Sequence, residues 1–253
     1  MSNVVGTRAW AMASAGALRN ADRRRLAAQA LLTRIAALPH AVRARLGLDE
    51  RAMTRIDVAA IKFPDSVAAK RASGLLQSLS PPWLVNHCMR TWLLGALLAQ
   101  VGRIRFDEEL HFVASALHDL GLTGEPKCDE GCAACFAVQG AREAEKFAER
   151  AGWSVERRHR LSEAISMHLN IRVSRRHGAE AHLLHEGAAL DVIGARMREL
   201  NKESLQSVLD RYPRLGFKEH MATAMKKQAH ARPDSRAAFL AGLGFIGMIR
   251  GSR

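Results

Sequence analysis

The sequence predicts an all-α fold, a compact multi-helix bundle with helical additions at both ends. Three observations predict it. Apolar residues recur at helical spacing along most of the chain, caps and breakers such as Ser66, Pro81 and Gly102 delimit the segments, and strand-like alternation is hard to find. A chain of 253 residues with 48% hydrophobic content can bury one core without a second domain.

The helices follow in order from their start and stop signals. The first is expected from Asp22 to Leu38, with Pro39 ending it. The later segments are Asp65 or Ser66 to about Leu79, Trp83–Val101, Glu108–Leu117 after the cap Asp107, Gly140–Ala151, Ser154 to His168, Ala179–Leu200, Lys202–Arg211, Lys218–His230 and Asp234–Ile249. We divide the chain into a basic helical arm, residues 1–60, and a domain, residues 61–253, that includes a helical C-terminal extension.

Charge and composition exclude several classes of protein. The formal net charge is +13, but aromatic residues make up only 5% of the chain, so we expect nonspecific electrostatic contact with nucleic acid rather than a dedicated binding surface. No apolar run approaches the ~18 residues of a membrane-spanning helix.

The Arg-rich N-terminus weakly resembles a transit peptide, and we favour a folded arm and a cytoplasmic protein. The oligomeric state is left open, with a homo-oligomer among the expected partners.

Polar residues interrupt three apolar helices. His118 and Asp119 lie in the apolar segment Phe112–Leu122, and His87 and Asp191 lie on apolar faces of their own helices. Taken singly, each has an ordinary explanation, such as a helix-end carboxylate or a hydrogen-bonded core histidine. Together they form a candidate set of four metal ligands from three helices.

At these residues the sequence resembles the HD superfamily of metal-dependent hydrolases. The motif is a His, then a His–Asp pair, then a distant Asp, here in Asn86–Arg90, Leu117–Gly121 and Leu190–Gly194. The flanking segments are most similar to the cyanamide hydratase-like branch, and they are Phe63–Ser66, Val138–Ala141, Ile165–His168 and Tyr212–Arg214. The resemblance spans about 61–233. The paired histidines of two-metal members and the Gly-Tyr-Pro signature of the cyclic-dinucleotide branch are missing, so the resemblance implies one metal.

The resemblance implies a site of His87, His118, Asp119 and Asp191 around one divalent transition metal ion, with Zn favoured over Fe, Mn or Co. Such an ion lowers the pKa of water toward ~7 and thereby supplies a nucleophile. His168 is similar to the third active-site histidine of the family and is the candidate proton shuttle, with an ordinary helix-end histidine as the alternative. Arg90 is expected to orient Asp119 or to bind an anionic group, and a structural salt bridge is the alternative.

Three of the four cysteines lie close together, at Cys128, Cys132 and Cys135. The spacing suits a reducing compartment, and with Cys88 or a histidine as a fourth ligand it would suit structural zinc. Because three thiols are one short of a zinc site, we favour reduced loop cysteines.

The predicted function is a metal-dependent hydrolase or hydratase acting on a small molecule. The local resemblance favours a small nitrile such as cyanamide as the substrate, whereas the positive charge favours a nucleotide or other phosphate ester. The alternative from another class is a nonenzymatic nucleic-acid or regulatory binding module on the same fold.

Overall fold

The computed structural model describes residues 4–45, 57–123 and 135–252. Within these ranges the protein is all-α, without strands, as predicted. The α-helices found there are α1 (Arg8–Ser14), α2 (Asn20–Arg45), α3 (Val67–Leu79), α4 (Pro82–Gly102), α5 (Glu108–Leu117), α6 (Phe136–Arg150), α7 (Val155–Met167), α8 (Ala179–Ile193), α9 (Lys202–Arg211), α10 (Phe217–Ala231), α11 (Arg236–Gly242) and α12 (Phe245–Gly251). Short 3₁₀ turns occur at Leu120–Leu122, Arg175–His177 and Met197–Glu199.

Local signals set several helix ends where the sequence predicts them. The side chains of Ser66, Asp107 and Ser154 each accept a hydrogen bond from a backbone amide in the first turn of α3, α5 and α7. Each bond satisfies one of the amides that a helix N-terminus leaves unpaired. Gly194 adopts a left-handed conformation, with φ of 71°, and ends α8. The predicted helix to Leu200 therefore stops early, because the left-handed C-cap turns the chain away.

Three other boundaries differ from the prediction. The helix α2 continues through Pro39 to Arg45. An interior proline removes one backbone hydrogen bond at a cost of about 3 kcal/mol, and α2 continues despite this cost. The helix α6 begins at Phe136, before Gly140. The expected single C-terminal helix is divided at Gly244, whose φ of 86° is incompatible with a continuous α-helix.

The N-terminal residues share a hydrophobic cluster with the C-terminal helices. Trp10 is fully buried in this cluster, together with Phe136 and Met225. Its indole nitrogen lies 3.4 Å from the buried carboxylate of Asp22, and the guanidinium of Arg236 lies 5.2 Å from its ring. The first part of the predicted arm is therefore packed into the fold, while the boundary at residue 60 stays a prediction.

The second part of the arm is more exposed than its pattern predicts. Leu31, Ile35 and Leu38 on α2 are each more than half exposed, although the helical period groups them with the buried Leu26. Neither α2 nor any other described helix has the length and hydropathy needed to cross a membrane.

Two glycines allow α4 and α8 to approach closely. A Cβ atom on Gly187 would lie 2.4 Å from the carbonyl oxygen of Thr91, and one on Gly95 would lie 2.8 Å from the carbonyl oxygen of Leu183. Both distances are shorter than any normal contact, so neither position accepts a side chain while the helices stay in place. The close approach brings His87 on α4 within hydrogen-bonding distance of Asp191 on α8.

Candidate metal centre

Four of the predicted site residues line one cavity of about 420 Å³. His87 lies in the second turn of α4, His118 and Asp119 directly follow α5, and His168 directly follows α7. All four side chains are buried. Three separate elements therefore bring imidazoles and one carboxylate to the same cavity wall.

The two oxygens of Asp119 have different neighbours. Oδ2 lies 3.4 Å from Nε2 of His87 and 3.4 Å from Nε2 of His118. Oδ1 lies 3.4 Å from Nε2 of His168. The ligand atoms of His87, His118 and Asp119 all lie within 4.8 Å of one another, and this buried group could hold a metal ion. We call His87, His118, Asp119 and His168 the metal pole.

Each imidazole of the metal pole is held through its other nitrogen. Nδ1 of His118 lies 2.8 Å from the carbonyl oxygen of Ser115, and Nδ1 of His168 lies 2.6 Å from that of Ile165. Nδ1 of His87 lies 2.7 Å from Oδ2 of Asp191. A carbonyl or carboxylate oxygen accepts a hydrogen bond from Nδ1, which leaves Nε2 as the nitrogen that faces Asp119. Metal-binding histidines have this arrangement.

The Nε2 atom of His118 is the strongest indication that the site fits a metal. It is buried and makes no hydrogen bond. An unpaired polar atom in a protein interior costs free energy, and a metal ion would satisfy it. Burial also lowers the pKa of His118 to about 3. The imidazole is therefore neutral, which is the form that binds metals.

The histidines around Asp119 keep its carboxylate ionised. Burial raises the pKa of Asp119, but the imidazoles of His118, His168 and His87 lower it more, so the pKa lies well below its usual range. Burial lowers the pKa of His87, but its contacts with Asp119 and Asp191 outweigh this effect, and the pKa is raised. The metal pole thus contains a buried carboxylate whose ionised form favours a neighbouring cation.

Asp191, the fourth predicted ligand, lies behind His87 and does not line the cavity. Its carboxylate is paired with Arg90, with distances of 2.7 Å from Nε to Oδ1 and 2.8 Å from Nη2 to Oδ2. Burial raises the pKa of Asp191, but hydrogen bonds from His87 and Arg90 lower it far more, so it is ionised. The assignment of Asp191 as a direct ligand stays a prediction.

Arg90 forms the salt bridge that the sequence offers as an alternative role. The side chain is fully buried, and Nη1 donates to the carbonyl oxygens of Tyr212 and Pro213, at 3.1 Å each. The planar guanidinium therefore joins α4 to α8 and to the chain after α9. Its charged partner is Asp191 rather than Asp119.

The sequence analysis missed His185, which also lines the cavity. Its Nδ1 donates to the carbonyl oxygen of His168 at 2.9 Å, and burial lowers its pKa. Ala188, Ala189 and Val192 line the cavity on the same helix. These positions repeat at helical spacing from His185, so the periodicity of α8 would have grouped them on one face.

The cysteine cluster falls mostly outside the described residues, which include neither Cys128 nor Cys132. Cys135 is fully buried, and Nη2 of Arg236 lies 3.5 Å from its sulfur. Cys88 is buried behind the metal pole, with its sulfur 3.9 Å from Nδ1 of His118. Burial raises the pKa of Cys88, so the neutral thiol is favoured. The choice between structural zinc and reduced cysteines stays a prediction.

Comparison with known proteins gives no family assignment, because no family model and no curated protein matches the chain. The function of the site is therefore inferred from the geometry of the metal pole alone.

Proposed function

We propose that the protein is a metal-dependent hydrolase or hydratase of the HD type that adds water to a small molecule. One observation carries the proposal. His87, His118 and Asp119 each offer one ligand atom, and these three atoms lie within 4.8 Å of one another at the wall of a cavity. Catalytic metal sites commonly use three protein ligands and leave a position open, whereas structural zinc sites are closed by four.

The proposed ligands are His87, His118 and Asp119. This set of two nitrogens and one oxygen suits Zn, Fe, Mn or Co. When bound, such an ion would supply Lewis acidity, which lowers the pKa of water from 15.7 toward about 7. The chain itself holds the three donors in position and shields them from bulk solvent.

His168 is proposed to move a proton at the other side of Asp119. Its Nε2 lies 3.4 Å from Oδ1, whereas the two proposed ligands lie beside Oδ2. An imidazole in this position can exchange a proton with a substrate in the cavity, and its Nδ1 contact with Ile165 keeps the ring from rotating.

Arg90 and Asp191 are proposed to position His87 rather than to react. The Asp191 carboxylate accepts a hydrogen bond from Nδ1 of His87 and is itself fixed by Arg90. Carboxylates that orient metal-binding histidines in this way also increase the basicity of the ring. Together the two residues hold the Nε2 lone pair of His87 toward the proposed metal.

Metal analysis and a substrate panel test the proposal together. The purified chain should contain about one equivalent of a divalent transition metal, and Asp119→Ala should lose it. The panel should include nitriles, amides and phosphate esters, each assayed with Zn, Fe, Mn and Co. Stoichiometric metal in Asp119→Ala would refute the proposed site, and a metal-loaded chain inactive on every class would refute the proposed reaction.

A further inference from the structure

The cavity in front of the metal pole indicates the kind of substrate that the proposed enzyme would accept. Its volume of about 420 Å³ lies in the range that holds drug-sized ligands. A molecule as small as cyanamide would leave most of this space unfilled. The cavity is therefore built for a substrate with a body beyond its reacting group.

Apart from the metal pole, the cavity is lined largely by apolar residues. Met221 and Met225 on α10 line it, and so do Leu240, Leu243 and Phe245 from the C-terminal helices. We call these five residues the outer wall. Methionine side chains adapt to ligands of different shape, and none of the five side chains has a strong hydrogen-bonding group. The outer wall therefore suits a hydrocarbon body.

The arginines that line the cavity do not form an anion site. Arg196 is paired with Glu186 at 3.2 Å and with Glu199 at 2.7 Å. Arg34 is exposed and donates to the carbonyl oxygen of Leu243 at 3.1 Å. Arg172 is exposed to solvent. Binding a phosphate usually requires several convergent donors, and the described cavity residues do not provide such a cluster.

We infer that the substrate is a neutral amphiphile, with a hydrolysable or hydratable polar group at the metal pole and an aliphatic body of medium length along the outer wall. This inference depends on the proposed function for the reacting group only. The volume and the apolar lining of the cavity support the prediction about the aliphatic body.

The test uses two series of straight-chain probes, measured by calorimetry on the full-length chain. Primary alcohols from ethanol to octanol probe the cavity of the chain treated with a chelator. Alkyl hydroxamates of the same lengths probe the metal-loaded chain, because the hydroxamate group binds metals. In both series affinity should increase about fourfold per methylene until the cavity is filled.

A matched pair of variants locates the binding. Ala189 lines the cavity on α8, and Ala179 on the same helix does not. Ala189→Phe should weaken octanol binding at least tenfold and leave ethanol unchanged, whereas Ala179→Phe should change neither. The chain-length series on the unmodified protein decides the question if Ala189→Phe fails to fold by circular dichroism.

The two series separate this inference from the proposed function. Alcohol affinity that is independent of chain length would overturn the inference, even if hydroxamates bind the metal. Hydroxamates that bind no better than alcohols would overturn the proposed metal site, while a chain-length dependence would still support the apolar cavity. Tighter binding of inorganic phosphate or a nucleotide than of octanol would also overturn the inference.

Discussion

The helix α5 connects two buried histidines with different surroundings. His118 follows the C-terminal end of the helix at the cavity, and His111 lies two turns earlier, against α4. Both are fully buried, and burial lowers the pKa of His118 to about 3 and that of His111 to about 4. Burial and pKa therefore do not distinguish them.

The two histidines differ in what surrounds the ring nitrogen that makes no hydrogen bond. Nε2 of His111 donates to the carbonyl oxygen of Trp92 at 3.2 Å, and its buried Nδ1 makes no hydrogen bond. Its ring packs against Gly95 and Phe106, and among the described residues His111 belongs to no group of potential metal ligands. Nε2 of His118 faces a carboxylate and a cavity. A buried neutral histidine is thus a candidate ligand only when its free nitrogen meets other ligand atoms.

The substitution with the largest expected effect tests this comparison directly. His118→Ala should abolish metal binding, because it removes one of the three proposed ligands. His111→Gln should retain full metal content, because the glutamine amide can donate to the Trp92 carbonyl in place of Nε2. Elemental analysis of both purified variants checks the pair, and equal metal content in the two would contradict the assignment of His118.

The next effect concerns His168. His168→Ala should retain the metal, because its Nε2 lies beside Oδ1 of Asp119 rather than beside the proposed ligands. Turnover should fall by roughly 10²–10⁴, the usual contribution of a positioned general acid or base. Single-turnover rates with metal analysis test this expectation. Loss of the metal would make His168 a ligand, and unchanged turnover would leave it a structural histidine.

A smaller effect is expected from Asp191→Asn. The substitution removes the charge that orients His87 and balances Arg90, so metal affinity should fall about 10–100-fold. Competition with a chelator of known affinity measures this change, and circular dichroism checks that the variant is folded. Complete metal loss, as expected for His118→Ala, would instead identify Asp191 as the fourth ligand.

The smallest effect is a change in the pH dependence of stability. The pKa of His111 is about 4 in the folded chain and about 6.5 when unfolded, so between these values the unfolded chain binds more protons. Stability should therefore fall as the pH drops from about 6.5 to 4, and His111→Gln should reduce this slope by at most about 1.4 kcal/mol per pH unit. Urea unfolding of the metal-free chain at several pH values measures the slope. Parallel curves for the two proteins across this range would contradict the shift.

The sequence predicted the local features of the fold well. Asp107 and Ser154 cap the helices assigned to them because a cap depends on residues three positions apart. Pro39 and the C-terminal segment were predicted wrongly. A helix can tolerate a proline at a free-energy cost, and a glycine such as Gly244 ends a helix only where the chain adopts positive φ.

The candidate site was predicted in part for a different reason. His87, His118 and Asp119 stood out as polar residues in apolar helices, and the structure brings them together. The pairing of Asp191 with Arg90 depends on the contact between α4 and α8, which no spacing along the chain reveals. The outer wall was missed because a methionine that lines a cavity and one that fills a core give the same apolar pattern.

The close contact between Gly95 and Gly187 has a consequence for sequence variation. Neither residue has a side chain that could react, yet the 2.7 Å distance between His87 and Asp191 requires α4 and α8 to stay at this spacing. A survey of all single substitutions should find both positions nearly as intolerant as the proposed ligands. Intolerance to substitution would then identify the residues that hold the two helices together as well as the residues that bind the metal. Only the measured metal content of the variants would distinguish the two groups.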